Sequence, residues 1–455
     1  MCEKEQRISL VGIGMGTEDG VTVQAQQSIR SCDCLIGAQR MLDCAQRICM
    51  QTAENAGTGK VRETQKTPGQ KAALVEYRPA EIVSYIEGHP EFRHITVLLS
   101  GDTGFYSGAK RLAAQLAERF QDNVHGDPRK CRIELVPGIS SVVYLAARLG
   151  TSWEDAALVS LHGKDADFIQ TVDRNRKTFL LLGGGQTEEK VLERLKEYGM
   201  DHVMVHAGSR LSYEDERIVS GKPSELSEKD LEGLCTVLIE NPFPERGSCP
   251  HVRDEEFIRG RVPMTKEEVR AVSIARLQLT EDAVVWDVGA GTGSVSVEAA
   301  RSGDRIRVYA VEKNPEALDL IRENRKKFRA DGIRIVSGEA PGVLAELEAP
   351  THVFIGGSSG NLQEILSCVL EKNESARIVI NAISLETVKE VMEAVESGAL
   401  KSPEITQLTV SRSRELGRYH MMTGQNPVYI VSAGGAADER SEARWKREER
   451  LRESC

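Results

Sequence analysis

Short apolar runs alternate along most of the chain with amphipathic segments, and this order predicts an α/β fold. Runs of roughly four apolar residues bounded by turn residues are typical of strands buried in a parallel sheet. Between them lie segments with apolar residues at helical spacing, such as Leu112, Leu116 and Phe120. In the first half the predicted strands are 8–13, 34–36, 95–99, 133–136, 158–161, 179–182, 203–205 and 236–239, and the predicted helices are 23–31, 110–120 and 142–149.

The second half repeats the alternation with seven predicted strands. These strands are 283–286, 308–311, 333–336, 352–355, 378–380, 407–410 and 428–431, with helices predicted at 266–277 and 294–300. Strands that alternate with helices in this way fit a doubly wound sheet.

Changes in composition predict the domain boundaries. The segment 51–71 is polar and predicted to be irregular, and the polar, turn-rich segment 121–130 indicates a subdomain boundary. Proline, glycine and charge accumulate over 242–263, which indicates a linker. We expect a first domain over 1–245 with subdomains at about 7–122 and 131–241, a linker over 246–262, a second domain over 263–433 and a charged tail over 434–455.

Length and charge exclude several classes of protein. The 455 residues suit two or three domains, and no run of about 18 apolar residues predicts a membrane span. The charged N-terminus argues against a signal peptide, so we expect a cytoplasmic enzyme. A formal net charge of −10 argues against a nucleic-acid partner.

The ten cysteines do not predict a metal site. They form no paired C-x-x-C motif, and no histidines lie at zinc-ligand spacing. We therefore expect reduced thiols, several of them buried, and no protein-bound metal.

The stretch Asp287–Gly293 is the most informative motif of the second half. It follows a buried strand and precedes a short helix, and its three glycines alternate where a dinucleotide fingerprint needs a different spacing. Glu312, nineteen residues after Gly293, ends the next strand and is placed to accept hydrogen bonds from ribose hydroxyls. This pattern predicts a site for S-adenosylmethionine (SAM).

The first half has a glycine loop of its own. Gly12, Gly14 and Gly16 follow a buried strand with the same spacing, but no acidic residue precedes them.

Several motifs in one order identify a family. The first half resembles tetrapyrrole methylases through the segments 11–16, 100–102 and 137–141. The second half resembles Rossmann-like SAM methyltransferases through 263–266, 287–293, 338–341, 354–358 and 381–383. Together the halves resemble the fused precorrin-6Y (5,15)-methyltransferases (decarboxylating) of cobalamin biosynthesis. The first loop departs from that family at Met15, where proline is usual.

The resemblance implies fold, activity and cofactor. It implies a two-subdomain tetrapyrrole methylase fold followed by a Rossmann-like class I methyltransferase fold. It also implies methylation of carbons 5 and 15 of a precorrin-6-type tetrapyrrole, decarboxylation of the ring C acetate, and one SAM site in each half.

The resemblance also implies the cofactor-binding residues. In the second half they are Thr265, Gly289, Ala290, Gly291, Thr292, Gly293, Glu312, Gly338 and Ala340. In the first half they are Ser100, Gly101, Asp102, Phe105, Ser140 and Ser141, with Leu182, Ala207 and Gly208 by weaker alignment.

The chemistry requires little from protein side chains. SAM carries its own leaving group, so no nucleophilic residue is needed, and the catalytic acid or base stays unassigned. The substrate bears several carboxylates, which favours nearby cations. The candidates are Arg412, Arg414 and Arg418 in the second half and His162 and Lys164 in the first; a solvated loop is the alternative for the arginines, and a lone histidine is more often structural.

Two alternative functions stay open from the sequence. One is a SAM-dependent methyltransferase acting on RNA or protein, and the other is a SAM-binding sensor without catalysis. Sequence does not show whether the substrate carries cobalt. The resemblance implies a homo-oligomer.

Overall fold

The chain forms two compact units in a computed structural model. The structure describes residues 5–55, 71–120, 131–161, 167–183, 189–233, 235–247 and 249–435. The first unit comprises Met1–Asp165, Lys177–Leu192 and Val203–Glu240, and the second comprises Ala166–Arg176, Glu193–His202 and Asn241–Cys455. The expected single division near residue 245 therefore does not describe the whole chain, because the segments 166–176 and 193–202 group with the second unit.

The first unit begins with a five-stranded parallel sheet in the order β3-β2-β4-β1-β5. Its strands are β1 (Gln6–Gly12), β2 (Cys34–Gly37), β3 (Ala72–Val75), β4 (His94–Leu99) and β5 (Cys131–Val136). Its helices are α1 (Val23–Ser31), α2 (Gln39–Asn55), α3 (Pro79–Gly88) and α4 (Ala109–Phe120), whereas the next helix, α5 (Ser141–Leu149), packs on the second sheet of this unit. The helices cover both faces, and buried aliphatic side chains from β1 and β4 form the centre of the core.

The expected boundary between the two subdomains is wrong. Strand β5 was expected to open the second subdomain at 131, but it pairs with β1 along its whole length as the edge of the first sheet. The change of sheet falls after β5, between it and the next strand. A polar segment at 121–130 indicated a boundary, yet hydrogen bonding rather than composition decides which sheet a strand joins.

The second sheet of the first unit is mixed, in the order β6-β7-β10-β8-β9. Its strands are β6 (Ala157–Ser160), β7 (Lys177–Leu181), β8 (Met204–Ser209), β9 (Arg217–Gly221) and β10 (Cys235–Glu240). Strand β8 is longer than the predicted strand 203–205, because residues 206–208 continue its antiparallel ladder with β10. Strand β9 was not predicted. The helices α6 (Ile169–Arg174) and α7 (Glu189–Glu197) lie between these strands in sequence.

The second unit contains the predicted seven-stranded sheet, in the order β13-β12-β11-β14-β15-β19-β16. Its strands are β11 (Val284–Val288), β12 (Arg307–Glu312), β13 (Ile333–Ser337), β14 (His352–Ile355), β15 (Arg377–Ala382), β16 (Glu404–Leu408) and β19 (Val428–Ala433). Its helices are α8 (Glu267–Leu277), α9 (Ser294–Arg301), α10 (Pro315–Lys327), α11 (Leu362–Lys372) and α12 (Leu385–Glu396). Strands β13, β12, β11, β14 and β15 are parallel, and β19 runs antiparallel to both of its neighbours, β15 and β16, which confirms the Rossmann-like expectation.

The described residues 249–262 of the segment expected to be a linker belong to the second unit. Arg270 on α8 is fully buried and donates to Glu298 at 2.6 Å and to Asp254 at 3.1 Å. Its guanidinium also donates to the backbone carbonyls of Val252 and Thr265. A buried guanidinium needs this number of partners, so Arg270 fixes residues 252–265 against the helices of the sheet.

A second buried charge joins the segments 166–176 and 193–202 to the rest of this unit. The carboxylate of Asp331, which is 1% exposed, accepts the backbone N–H groups of Phe168, Ile169 and Gln170 at 3.0, 2.9 and 3.2 Å. It also accepts from Arg194 at 2.7 Å. Asp331 thus satisfies backbone donors at the start of α6 that would otherwise lack partners.

A hairpin of β17 (Ser411–Leu416) and β18 (Tyr419–Gly424) forms a separate two-stranded sheet. It was not predicted, and four of its apolar side chains are exposed: Leu416, Tyr419, Met421 and Met422.

Within the described ranges, no helix combines the length and apolar character needed to cross a membrane.

Candidate functional site

A cavity of about 710 Å³ in the second unit opens at the carboxyl ends of β11, β12 and β14. Open α/β sheets bind ligands at this edge. Of the residues implied by resemblance, the lining includes Thr265, Gly289, Ala290, Gly291, Glu312, Gly338 and Ala340. The cavity volume falls in the range of cofactor and small-molecule sites.

The glycines of the second loop have positive φ angles that favour glycine. Gly289, Gly291 and Gly293 have φ values of +74°, +56° and +76°. A Cβ at Gly289 would lie 2.8 Å from the carbonyl oxygen of Gly357, and one at Gly291 would lie 2.9 Å from that of Pro263. Pro263 and Gly357 both line the cavity. The glycines therefore allow the loop to form the wall of the cavity without displacing its neighbours.

Glu312 at the end of β12 is held in place by backbone donors. One carboxylate oxygen accepts the N–H of Gly291 at 2.9 Å, and the other accepts those of Lys313 and Asn314 at 2.8 and 2.9 Å. These contacts orient a carboxylate that also lines the cavity. The arrangement fits a nucleoside, because a fixed carboxylate can accept hydrogen bonds from ribose hydroxyls.

Asp287, the acidic residue before the loop, is buried beneath it. Its side chain is 1% exposed and accepts a hydrogen bond from the hydroxyl of Ser296 on α9. Burial raises the pKa of Asp287 to about 7, with a further contribution from the charge of Glu312. Asp287 therefore joins the loop to α9 and does not line the cavity.

Two implied cofactor residues lie behind the cavity wall. Thr292 is fully buried, and its carbonyl oxygen accepts from Asn324. Gly293 begins α9 as its N-cap and faces Ile321. Their geometry suits a role in shaping the turn, and direct contact of either residue with a cofactor stays a prediction.

Sequence reasoning did not assign several polar residues of this cavity to the cofactor site, although Asn381 lies in the quoted motif 381–383. Asn381, Gln425 and Asn426 contribute to its lining. Asn381 at the end of β15 is nearly buried and exchanges hydrogen bonds with Ser273 at 3.0 and 3.1 Å. Its position directly after an apolar strand run was a usable signal, since such strand ends form ligand sites in α/β sheets.

The candidate substrate cations are placed differently from one another. Arg412 on β17 donates to Glu268 at 2.7 and 2.8 Å and to Glu267 at 3.2 Å, so its charge is already paired. Arg414 and Arg418 belong to the exposed hairpin, and Arg418 donates to the hydroxyl of Tyr419. None of the three lines the cavity. Their contact with substrate stays a prediction, as does that of His162 and Lys164, which lie outside the described residues.

The first unit has a smaller cavity of about 200 Å³. All six first-half residues implied by resemblance line it: Ser100, Gly101, Asp102, Phe105, Ser140 and Ser141. Leu182 also lines it, whereas Ala207 and Gly208 lie inside β8. Met15 of the quoted segment 11–16 also lines it, together with Arg40, Arg210 and Tyr213, which were not predicted.

The first glycine loop packs mainly on protein. Gly14 and Gly101 exchange both backbone hydrogen bonds, at 3.1 and 2.8 Å. A Cβ at Gly12 would lie 2.6 Å from the carbonyl oxygen of Gly101, and one at Gly138 only 2.2 Å from that oxygen. Three loops of the first unit therefore approach one another at their backbones, and glycine is required for this contact.

Asp102 fastens two of these loops together. One of its carboxylate oxygens accepts the N–H of Gly104 at 2.8 Å, and the other accepts that of Gly138 at 3.0 Å. Asp102 is thus a turn former as well as a residue of the cavity wall.

Comparison with known proteins assigns a family model to each half. Residues 257–433 match the model described as the precorrin methyltransferase domain. Residues 7–227 match the model described as tetrapyrrole (corrin/porphyrin) methylases.

Individual relatives agree with both matches. A protein of Pyrobaculum calidifontis, named probable cobalt-precorrin-6B C(15)-methyltransferase (decarboxylating), is 46% identical over 187 residues, which cover 40% of this chain and 95% of the relative. A Sinorhizobium protein, named precorrin-6Y C(5,15)-methyltransferase [decarboxylating], is 26% identical over 432 residues, or 93% of this chain and 95% of the relative. The crystal structure of a Geobacter metallireducens precorrin-6y C5,15-methyltransferase is 39% identical and covers 41% of this chain and 99% of its own, with a TM-score of 0.39.

Proposed function

Since this chain belongs to the family of decarboxylating precorrin methyltransferases, we propose that it methylates carbons 5 and 15 of a precorrin-6-type tetrapyrrole and removes the ring C acetate carboxyl as carbon dioxide. The first half is assigned methylation of carbon 5. The second half is assigned methylation of carbon 15 and the decarboxylation, the two activities in the name of its 46% identical relative. The product belongs to the corrin-ring pathway to cobalamin.

Each half holds its own SAM in this proposal. In the second half Glu312 accepts from the ribose, while Gly289 and Gly291 let the loop approach the cofactor closely. In the first half the wall formed by Ser100, Gly101 and Ser140 receives it. Bound SAM supplies the methyl group and its own leaving group.

The residues of the chain contribute position more than reactivity. Methyl transfer is an in-line displacement, and fixing donor and acceptor in alignment can lower the barrier by several kcal/mol. In the decarboxylation the bond between the acetate methylene and its carboxyl breaks, its electron pair enters the conjugated macrocycle, and a proton replaces the lost carboxyl. No described side chain is assigned the delivery of that proton.

One observation carries the proposal: the chain contains two separate cavities, and each is lined by the methylase motifs of a different family model. A sensor needs only one such site, and it needs no second methylase fold. The relatives named above are all precorrin methyltransferases, so an RNA or protein acceptor is not favoured.

The test uses the full chain with methyl-labelled SAM and a precorrin-6-type tetrapyrrole, both with and without cobalt. We expect mass spectrometry to show two methyl groups gained and one carbon dioxide lost. The cobalt arm decides which form of the substrate is accepted. A chain that binds SAM but transfers no methyl group to either tetrapyrrole would overturn the proposal.

We also propose from family resemblance that the chain forms a homo-oligomer and works in the cytoplasm. The exposed apolar side chains of the β17–β18 hairpin favour self-association, because such a patch is costly in water. Light scattering on the chain, and on a variant with Met422→Lys and Leu416→Lys, measures this: a mass equal to one chain in both would contradict the proposal.

A further inference from the structure

The first-half cavity contains a guanidinium that lacks a charged partner. Arg40, in the first turn of α2, is half-buried and lines the cavity. Its Nη2 donates to the hydroxyl of Ser100 at 2.9 Å, and its Nη1 donates to the hydroxyl of Tyr213 at 3.3 Å. Both acceptors are neutral, and within the described ranges Arg40 forms no ion pair with a carboxylate.

The other charged side chains of this cavity wall, Arg210 and Asp102, contact partners of their own. Arg210 pairs with Asp215, and its guanidinium lies over the ring of Tyr213, 5.2 Å from the centroid. The two carboxylate oxygens of Asp102 accept backbone N–H groups from Gly104 and Gly138. Arg40 therefore differs from Arg210, because its positive charge is held in the wall by neutral groups that orient it without neutralising it.

An arginine in this state is suited to bind an anion. Removing a charged group from water costs free energy that an opposite charge offsets. A guanidinium has five N–H donors, and the two hydrogen bonds of Arg40 leave one N–H on each terminal nitrogen and one on Nε available. Carboxylates match this planar fork with two parallel hydrogen bonds.

We propose that Arg40 is the carboxylate-binding residue of the first-half cavity. Ser100 and Tyr213 act as positioning residues that hold its guanidinium toward the cavity. The carboxylate has two chemical sources, the amino-acid end of SAM and an acidic side chain of the tetrapyrrole. The inference rests on the proposed function for the identity of these ligands, and it adds a residue that the family motifs quoted above do not include.

The experiment compares the full chain with its Arg40→Gln and Arg40→Lys variants in two binding titrations. The first titration compares the affinity for SAM with that for 5′-methylthioadenosine, which lacks the carboxylate. The second compares the affinity for the tetrapyrrole free acid with that for its methyl ester. Arg30→Gln is the matched control, because Arg30 is an exposed arginine of the same unit whose guanidinium contacts Gln26.

We expect Arg40→Gln to weaken the binding of one of the two carboxylate ligands to the first-half cavity about 30-fold. Arg40→Lys should weaken the same binding less. Loss of SAM affinity with methylthioadenosine unchanged would identify SAM as the source. Loss of free-acid tetrapyrrole affinity with the ester unchanged would identify the substrate. Tyr213→Phe should give a partial loss for the same ligand.

A purely structural role for Arg40 predicts a different result. It would lower binding of the carboxylate ligands and of their uncharged analogues by the same factor, and this outcome would overturn the inference. Unchanged binding of all four ligands would overturn it too, while the proposed function would stand. If the chain with Arg40 intact binds neither SAM nor tetrapyrrole in its first half, the proposed function fails and the inference fails with it.

Discussion

The two glycine loops of this chain have the same spacing and different surroundings. Gly289 and Gly291 form the wall of a cavity of about 710 Å³, and a fixed carboxylate stands beside them. Gly12 and Gly14 lie against the backbones of Gly101 and Gly138, next to a cavity of about 200 Å³. Glycine permits a close approach of protein backbone in both loops, but only the second loop also lines a large cavity beside a fixed carboxylate.

The difference shows that glycine spacing alone does not specify a cofactor site. The loops are distinguished by an acidic residue before the motif, Asp287, and by one at the end of the next strand, Glu312. In the first unit the corresponding polar groups come from other loops, at Ser100, Asp102 and Arg40. The glycine spacing indicates that backbones approach closely, and the neighbouring side chains indicate which group the loop approaches.

The largest effect is expected where the first glycine loop meets its neighbours, from Gly138→Ala. Its Cβ would lie 2.2 Å from the carbonyl oxygen of Gly101, which is backbone and cannot move aside without opening the three-loop contact. We expect the free energy of unfolding to fall by about 3 kcal/mol or more. Denaturant titration measures it. Gly88→Ala is the control, because a Cβ there meets nothing within 4 Å, and equal losses in both variants would contradict the packing role.

The acid before the second loop should make stability depend on pH. The pKa of Asp287 is raised by burial from 3.8 to about 7, so its contribution is fully present below about pH 4 and is lost as the pH rises through 7. Asp287→Asn keeps the acceptor for Ser296 and removes the titration. Between about pH 5 and 7 the stability of the original chain relative to this variant should fall by on the order of 1.4 kcal/mol per pH unit. Parallel stability curves would contradict this assignment.

The second glycine loop, which lines the larger cavity, should respond to Gly291→Ala mainly in SAM binding. The backbone angle of +56° disfavours alanine, and its Cβ would press on the carbonyl of Pro263 in the cavity wall. A strain of roughly 2 kcal/mol corresponds to about 30-fold weaker SAM binding in the second half. The KM for SAM in carbon-15 methylation measures it. Gly14→Ala, at +64° in the first loop, should leave this KM unchanged, and a matching rise would remove the distinction between the loops.

The smallest effect is expected from Glu312→Gln, which keeps an oxygen for the N–H of Gly291 and removes the negative charge. We expect about tenfold weaker SAM binding in the second half, because one charge-assisted hydrogen bond becomes neutral. Glu323→Gln on α10 makes the same charge change on an exposed surface. If carbon-5 methylation fell as much as carbon-15 methylation, the two-site proposal would be wrong.

Much of the fold could be predicted because buried parallel strands are continuous apolar runs. The seven-stranded sheet of the second unit and its parallel core follow directly from such runs. The β17–β18 hairpin was missed because its residues are largely polar or charged and both faces are exposed. The partner of β5 was missed because an apolar run does not specify the strand with which it pairs.

The residues of the candidate sites also fall into a group that the sequence predicted and a group that it missed. Strand-end residues such as Glu312 and Ser100 were predicted, since motif and topology place them at the ligand edge. Arg40 and Arg270 were missed because an arginine on an amphipathic helix normally indicates a solvated surface. Only the tertiary structure shows that Arg270 is completely buried and that Arg40 faces a cavity.

Asp331 has a consequence for the evolutionary history of such a chain. Its carboxylate joins α6, encoded in the first half, to the compact unit that contains the second. A single break in the gene near codon 245 would therefore not yield two intact folding units. The second fragment would keep a buried anion without its helix, and we expect it to unfold at lower denaturant than the full chain. Gene fission at this point would have to be followed by replacement of Asp331 before the second fragment regained that stability.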